Sequence, residues 1–309
     1  DLVSGVNMAV DFAGIKMKNP INTASGTFGA GYQFQHFMDV TALGAITTKG
    51  ASAVPWPGNP QPRMAEVCSG MLNSVGLTNP GVRALVEDCG EYLEGLTKAG
   101  TAVICQVAGH SVQEYIDALD LYEELAPWAS GFELNISCPN VSKGGLAMGA
   151  TPESAAEVVA ACRPHTKRPL IVKLAPARAK EVAPAVEAAG ADGLTVINTI
   201  PAMSIDVRTR RSRVSRPTAG LSGPAIHAIA VRIAWEVCQA VSIPVCGIGG
   251  ITSGEDAAEF ILAGCRAVSV GTQNMVEPAA SVRILGELEQ WAASQGVSDI
   301  NELVGGFIC

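Results

Sequence analysis

The sequence lacks the patterns that mark several common protein classes. Its nine cysteines contain no C-x-x-C pair, so neither a zinc knuckle nor an iron–sulfur cluster is indicated. No apolar run reaches the roughly 18 residues of a membrane span, because glycine, proline or charge interrupts each one. An excess of basic charge is also missing, since the net charge is −8, and this argues against nucleic-acid binding. With an odd cysteine count and no signal peptide, we expect a cytoplasmic protein with no membrane contact of its own.

Length and composition favour a globular protein built on one large core. Of the 309 residues, 48% are hydrophobic and 16% are charged, well away from the composition of disordered chains. A single α/β barrel commonly has about 250 residues, and more when its loops carry insertions. We therefore predict one domain over residues 1–309.

Short apolar runs alternate with amphipathic segments along most of the chain. The runs lack polar alternation, which is typical of parallel strands buried on both faces. Helical spacing follows in residues 111–125, 152–162, 179–189 and 254–263, and Gly100, Gly190 and Gly264 stand where helices would end. The eight predicted strands are residues 21–25, 45–49, 102–107, 131–136, 170–174, 193–198, 244–247 and 267–271.

Eight strands with helices between them predict a (β/α)8 TIM barrel. An open doubly wound sheet would carry G-x-G-x-x-G after its first strand, and residues 25–29 do not match that motif. Residues 6–17 alternate around Ala13 and Gly14, which predicts an N-terminal β-hairpin that covers one end of the barrel.

Three long connections each follow a strand: residues 50–80, 137–151 and 199–224. They are therefore expected on the C-terminal face, where barrels build their active sites. The third carries a basic cluster, for which a solvated loop is the default interpretation and an anion or partner contact the alternative. Its members are Arg208, Arg210, Arg211, Arg213 and Arg216.

Glycine-rich turns follow the last two predicted strands, at residues 247–250 and 271–272. Backbone N–H groups of such turns bind phosphate, and the loops after strands 7 and 8 are the usual place for it in barrels. A phosphate-bearing ligand is the first functional prediction; glycines that serve only tight turns are the alternative.

Lysines and asparagines stand at other strand ends. Lys49 and Lys173 suit an anionic or electron-rich ligand, although either could simply pair with a carboxylate. Asn73, Asn135 and Asn198 offer both donors and an acceptor, which match the N–H and C=O edge of a pyrimidine or an isoalloxazine ring.

Cys138 follows the fourth predicted strand in a glycine-rich loop. A thiol has a pKa near 8.5, so modest electropositive surroundings make it a usable base. None of the four histidines lies at a strand end where it would activate that thiol as a nucleophile; they are His36, His110, His165 and His227. Five other cysteines are interpreted as small buried hydrophobes: Cys105, Cys162, Cys238, Cys246 and Cys265.

Long ordered strings run along the chain: NPINTASGTFG, ITTKG, GNPQPR, SGMLNSVGLTNPG, ELNISCPN, IVKLAP, VINT, GLSGPAI, GIGGI and SVGT. Taken together, these strings resemble the catalytic subunits of class 1B dihydroorotate dehydrogenases, from about residue 8 to about residue 300. This resemblance implies a flavoprotein oxidoreductase of de novo pyrimidine (UMP) biosynthesis that oxidises (S)-dihydroorotate to orotate.

The resemblance also implies a set of site residues. Cys138 would remove the C5 proton while hydride passes from C6 to N5 of one FMN per chain, and the loop around Cys138 would act as a lid. The thiol of Cys138 and the ammonium of Lys49 are then expected to face the same pyrimidine. Substrate would be bound by Lys49, Asn73, Ser74, Val75, Gly76, Leu77, Asn135, Asn198 and Thr199. FMN would be bound by Ser25, Lys49, Gly50, Gln106, Asn135, Lys173, Ile197, Gly223, Gly249, Gly250, Gly271 and Thr272; no metal site is implied.

One position departs from the family pattern, since Gln106 stands where an asparagine is usual near the flavin. The class further implies a homodimer joined by a second subunit with FAD and a 2Fe–2S cluster, which passes electrons to NAD in a heterotetramer. A class 1A homodimer that uses fumarate, and a non-catalytic flavin- or phosphate-binding barrel, remain as alternatives.

Overall fold

A computed structural model describes residues 5–137 and 148–308 of the chain. Its central feature is a sheet of eight parallel strands, each paired with its neighbour in chain order from β2 to β8, with β8 also paired to β1. Asn22 on the first strand donates to Thr47 Oγ1 on the second at 2.9 Å, so the two ends of the sheet meet. The predicted barrel is thus confirmed. Its strands are β1 (Ile21–Thr23), β2 (Ala45–Thr47), β3 (Ala102–Val107), β4 (Gly131–Asn135), β5 (Leu170–Leu174), β6 (Gly193–Val196), β7 (Val245–Ile248) and β8 (Ala267–Val270).

Helices fill the connections, and their ends follow the capping signals in the sequence. Thr151 accepts a hydrogen bond from the Ser154 amide, which fixes the first turn of the third helix. Gly100, Gly190 and Gly264 have φ values of 84°, 109° and 117° just past three helix ends, as predicted. The longer helices are α1 (Val82–Lys98), α2 (Val112–Leu125), α3 (Pro152–Cys162), α4 (Ala179–Ala188), α5 (His227–Ala240), α6 (Gly254–Leu262) and α7 (Ala280–Ser294). Shorter turns of helix are Ser25–Phe28, Tyr32–His36, Val40–Ala42, Arg163–His165, Pro224–Ile226, Gln273–Val276 and Ile300–Leu303.

The N-terminal hairpin pairs Val10–Phe12 with Ile15–Met17 through a turn at Ala13 and Gly14, both at positive φ. It packs on the end of the barrel where strands begin. A Cβ atom placed on Gly193, the first residue of β6, would lie only 2.9 Å from Ala13 Cβ. The hairpin therefore closes the N-terminal end and leaves the opposite end open for the site.

A second sheet lies on the C-terminal side, in the order Ile200–Ala202, Ala219–Ser222, Gly70–Asn73, Met64–Val67. All its pairs are antiparallel, and its strands come from the connections after β2 and β6. Leu72, Val214 and Ala219 form its own small apolar cluster. We call this element the mouth sheet. An antiparallel pair of two-residue strands, Ile205–Asp206 and Arg211–Ser212, extends from the mouth sheet.

The mouth sheet was not predicted from the sequence. Gly70 and Gly220 have low strand propensity. The two central strands of the mouth sheet come from connections almost 150 residues apart, so periodicity within one segment gives no signal that they pair. Among the described residues, no helix is both long and apolar enough to cross a membrane.

Candidate active site

One cavity opens at the C-terminal ends of the barrel strands, beneath the mouth sheet. The structure gathers nearly all the predicted site residues here. Those that line the cavity are Ser25, Lys49, Asn73, Ser74, Val75, Gly76, Leu77, Gln106, Asn135, Lys173, Ile197, Asn198, Thr199, Gly223, Gly249, Gly250, Gly271 and Thr272.

Of the other two predicted residues, one lies outside the described residues and the other lies beside the cavity. Cys138, together with the rest of 138–147, lies outside the described residues. Gly50 is buried beside the cavity without lining it, and a Cβ there would lie 2.6 Å from Gln106 Oε1. Its position makes room for the Gln106 side chain.

Glycine turns form one end of the cavity. Gly223 has φ 94°, Gly249 143° and Gly250 65°, and a Cβ on Gly250 would lie 2.7 Å from the carbonyl oxygen of Gly223. No other residue fits there without displacing backbone. Thr272 Oγ1 donates to Ser222 Oγ at 2.7 Å beside these turns. Closely approaching backbone amides with a nearby hydroxyl are suited to a phosphate group.

A buried carboxylate organises the opposite end, inside the barrel. Glu133 is 2% exposed and accepts two hydrogen bonds of 2.6 Å, from Gln106 Nε2 and from Thr195 Oγ1. Because the Gln106 amide nitrogen is engaged, its oxygen is turned the other way and accepts from Asn135 Nδ2 at 3.3 Å. The carboxylate therefore sets the orientation of both amides in the cavity wall.

Lys173 lies on β5 in the same region and is 6% exposed. Burial lowers the pKa of its ammonium, and the negative charge of Glu133 opposes that shift. Lys49 follows β2 and is half-buried at the cavity, where its backbone amide donates to the carbonyl of Gly29 at 2.9 Å. Both lysines therefore line the same cavity.

A chain of side-chain hydrogen bonds connects the barrel to the start of the 137–151 connection. Asn198 Nδ2 donates to Ser137 Oγ at 2.7 Å, and Ser137 Oγ donates to Asn135 Oδ1 at 2.7 Å. Tyr115 from α2 donates to the Asn135 carbonyl at 2.6 Å. Ser137, the residue before Cys138, is thus fixed to two asparagines that line the cavity.

The cavity wall at residues 74–77 is held from outside by Asn59. Its Nδ2 donates to Ser74 Oγ at 3.1 Å and to the Ser74 carbonyl at 3.2 Å. Arg63 donates to the Asn59 carbonyl at 2.7 Å, while Arg216 donates to Asn59 Oδ1 at 3.1 Å. Arg216 is exposed like the other four arginines of its cluster, but its contact with Asn59 supports this wall.

Three residues important to this geometry were not predicted: Glu133, Thr195 and Asn59. A charged residue within the buried strand sequence GFELN was a usable signal for Glu133, because an ionised group inside a barrel needs partners. Thr195 and Asn59 gave no comparable signal, since a threonine in a strand and an asparagine in a loop are both ordinary.

The described lining contains no carboxylate, imidazole, thiol or phenol. Cys105, Cys162, Cys246 and Cys265 are fully buried elsewhere, and burial raises the pKa of Cys105 and of Cys246 to about 12. The expectation that Cys238 is also buried was wrong, because it is only partly covered. Apart from its lysines, the described lining thus offers no conventional acid or base.

Comparison with known proteins agrees with this geometry. A family model described as dihydroorotate dehydrogenase matches residues 7–291. A protein of Lachnoclostridium phytofermentans named "Dihydroorotate dehydrogenase B (NAD(+)), catalytic subunit" is 47% identical over 302 residues, 97% of this chain and 99% of the relative. Two further proteins with the same name are also similar. The one from Pelobacter propionicus is 46% identical over 98% of this chain and 99% of the relative, and the one from Geobacter metallireducens is 46% identical over 97% of each.

Proposed function

The chain belongs to the dihydroorotate dehydrogenase family, and we propose that its cavity oxidises dihydroorotate to orotate beside a bound flavin mononucleotide. It is an oxidoreductase of class 1B, the NAD-dependent class, in pyrimidine biosynthesis. One observation carries the proposal: the glycine turns, two lysines and several side-chain amides line the same cavity at the mouth of the barrel.

The lining fits the flavin mononucleotide that the family implies. A Cβ on Gly249 or Gly250 would collide with neighbouring protein atoms, so these turns require glycine; together with Gly223 they present backbone at the cavity, which supports a phosphate at that end. At the other end, Lys173 and the amides of Gln106 and Asn135 would hold the ring system. When bound, the flavin supplies the hydride acceptor, and a cation near its pyrimidine edge stabilises the negative charge of the reduced form.

The substrate would lie between the flavin ring and the mouth sheet. Asn73, Asn198 and the 74–77 segment reach the cavity from above the strand ends and provide both donors and acceptors for a pyrimidine. Lys49 would bind the anionic substrate and stabilise negative charge that develops when the carbon beside its carbonyl loses a proton.

Cys138 would be the base that removes the C5 proton. The described lining offers no histidine, carboxylate or phenol for this task, and Cys138 directly follows Ser137, which is bonded to Asn135 and Asn198. A thiol with a pKa near 8.5 needs only modest help from nearby positive charge to act at neutral pH. The hydroxyl and amide contacts of Ser137 would position the residue that follows it.

Electrons would leave through another protein. The relatives are named as catalytic subunits, which implies a partner subunit. We propose that the partner carries FAD and a 2Fe–2S cluster and reduces NAD, and that two copies of this chain and two of the partner form a heterotetramer.

Anaerobic stopped-flow reduction by dihydroorotate tests the role of the thiol. Cys138→Ala should slow flavin bleaching by about a hundredfold or more, the scale of one lost general base. Cys68→Ala is the matched control, because Cys68 is exposed on the turn between two mouth-sheet strands. Equal bleaching rates in the two variants would remove Cys138 from the mechanism.

The electron acceptor distinguishes the proposal from the alternatives. The purified chain should turn over poorly with fumarate and gain NAD reduction only with its partner subunit. Rapid fumarate turnover would favour a class 1A enzyme, and flavin binding without any reduction by dihydroorotate would favour a non-catalytic barrel.

A further inference from the structure

A cluster of three potential metal ligands lies behind the glycine turns, outside the active-site lining. His227 begins α5, and Asp256 and Glu259 are three residues apart on one face of α6. One ligand atom from each residue lies within 4.8 Å of the other two. His227 Nε2 is 3.7 Å from Asp256 Oδ1 and 3.7 Å from Glu259 Oε2.

The imidazole is held in the tautomer that a metal ion requires. Nδ1 lies 2.9 Å from the Gly249 carbonyl oxygen, which can only accept, so Nδ1 carries the proton. In the neutral ring this leaves a lone pair on Nε2, directed at the two carboxylates. A histidine ligand fixed through its other nitrogen by a backbone carbonyl is the usual arrangement in protein metal sites.

The Nε2 atom is also buried and lacks a hydrogen-bond partner among the described residues. The His227 side chain is only 14% exposed, so water does not readily replace that partner. A protonated imidazole would not resolve this, because 3.7 Å is too long for a hydrogen bond to either carboxylate. A cation between the three atoms would satisfy Nε2 and both carboxylates.

Asp256 is already constrained to contribute one oxygen. Its Oδ2 accepts from the Thr252 amide at 2.8 Å, the Thr252 hydroxyl at 2.7 Å and the Ser253 amide at 3.0 Å. These bonds turn Oδ1 towards His227 without any need for the side chain to move. Glu259 is 56% exposed, so its carboxylate can close over an ion that arrives from solvent.

We propose that His227, Asp256 and Glu259 bind a divalent transition-metal ion, with Zn²⁺ the best match to one nitrogen and two carboxylate ligands. Ligands about 2.0–2.2 Å from Zn²⁺ at tetrahedral angles stand about 3.4 Å apart, close to the two separations of 3.7 Å. Water would complete the coordination. The ion would join α5 to α6 behind the Gly249 turn, a structural role separate from the oxidation chemistry.

Isothermal titration of the chelator-treated, flavin-loaded chain with Zn²⁺ tests the site, and Co²⁺ reports ligand geometry through its visible bands. His227→Asn removes the Nε2 ligand while its side-chain amide can still donate to the Gly249 carbonyl. Glu259→Gln changes only an exposed carboxylate. Glu255→Gln is the matched control, because Glu255 is exposed on the same helix and outside the cluster.

The unsubstituted chain should bind one Zn²⁺ per chain. His227→Asn and Glu259→Gln should each weaken Zn²⁺ binding by about tenfold or more, and Glu255→Gln should leave the affinity unchanged. The melting temperature of the unsubstituted chain should rise with Zn²⁺, and that of His227→Asn should not. Absence of stoichiometric uptake overturns the proposal, as does uptake that is the same in all four proteins.

Discussion

Gln106 donates a 2.6 Å hydrogen bond to the carboxylate of Glu133 inside the barrel, and this pairing decides how the cavity presents its amides. Burial lowers the pKa of Lys173, and the negative charge of the same carboxylate opposes that shift. One buried charge therefore controls both the hydrogen-bonding pattern and the positive charge at the proposed flavin ring site.

Flavin affinity should fall as pH rises through the pKa of Lys173, because the ammonium loses the charge that stabilises an electron-rich ring. Burial lowers this pKa below its ordinary value, and Glu133→Gln should lower it further by removing the opposing charge. The fall in affinity should then begin at a lower pH in Glu133→Gln. Fluorescence titration of FMN between about pH 7 and pH 10 measures this, since the ordinary lysine pKa is near 10.4. Glu91→Gln, an exposed substitution on α1, should match the parent, and identical curves for all three proteins would exclude the coupling.

Gly50→Ala should destabilise the fold by about 1–3 kcal/mol through overpacking. The new Cβ would meet Gln106 Oε1 at 2.6 Å, and Gln106 cannot turn aside because both ends of its amide are bonded within the barrel. In a Gln106→Asn background the shorter side chain should reduce the cost by about 1 kcal/mol. A double-mutant cycle from denaturant unfolding gives the coupling energy. Additive effects would show that Gly50 and Gln106 do not interact in this way.

Gly250→Ala should lower FMN affinity by at least about a hundredfold, since a 2.7 Å approach to a backbone carbonyl forces the turn to move. Gly286→Ala is the control: it lies within α7 with open space around it and should stabilise the helix by up to about 1 kcal/mol. Flavin content is measured after reconstitution, with circular dichroism to establish that each variant is folded. Full flavin retention by a folded Gly250→Ala would separate this turn from the phosphate.

Arg216→Ala should raise the KM for dihydroorotate about fivefold with a smaller change in kcat, corresponding to about 1 kcal/mol for a lost hydrogen bond. The reason is that Arg216 orients Asn59, which holds the cavity wall at Ser74. Arg208→Ala removes an exposed arginine of the same cluster and should leave both constants unchanged. Equal effects of the two substitutions on KM would indicate a general charge effect rather than support of the wall.

The barrel could be predicted because each strand and helix carries its own local signal. Apolar runs without alternation located all eight strands, and the glycines at 100, 190 and 264 marked helix ends that the structure confirms. Strand ends differ by up to two residues, as at β1, where Ser25 begins a short helix instead of ending the strand.

The mouth sheet and the Glu133 network could not be predicted in the same way, because they depend on residues distant in sequence. Leu72 and Leu221 pair across two separate connections, and Glu133 bonds to residues of β3 and β6. His227 was set aside because it does not follow a strand, yet its Nδ1 bonds to the Gly249 turn. Residue type and spacing pointed to the lysines, asparagines and glycine turns of the lining, and the family resemblance pointed to the rest, whereas the contacts that hold the lining in place required coordinates.

The most direct test of the proposed function is an anaerobic absorption spectrum of the purified chain before and after one equivalent of dihydroorotate. The account predicts a flavin spectrum that bleaches on addition, with orotate formed in equal amount. A protein that binds no flavin, or whose flavin stays oxidised with excess dihydroorotate, would contradict it.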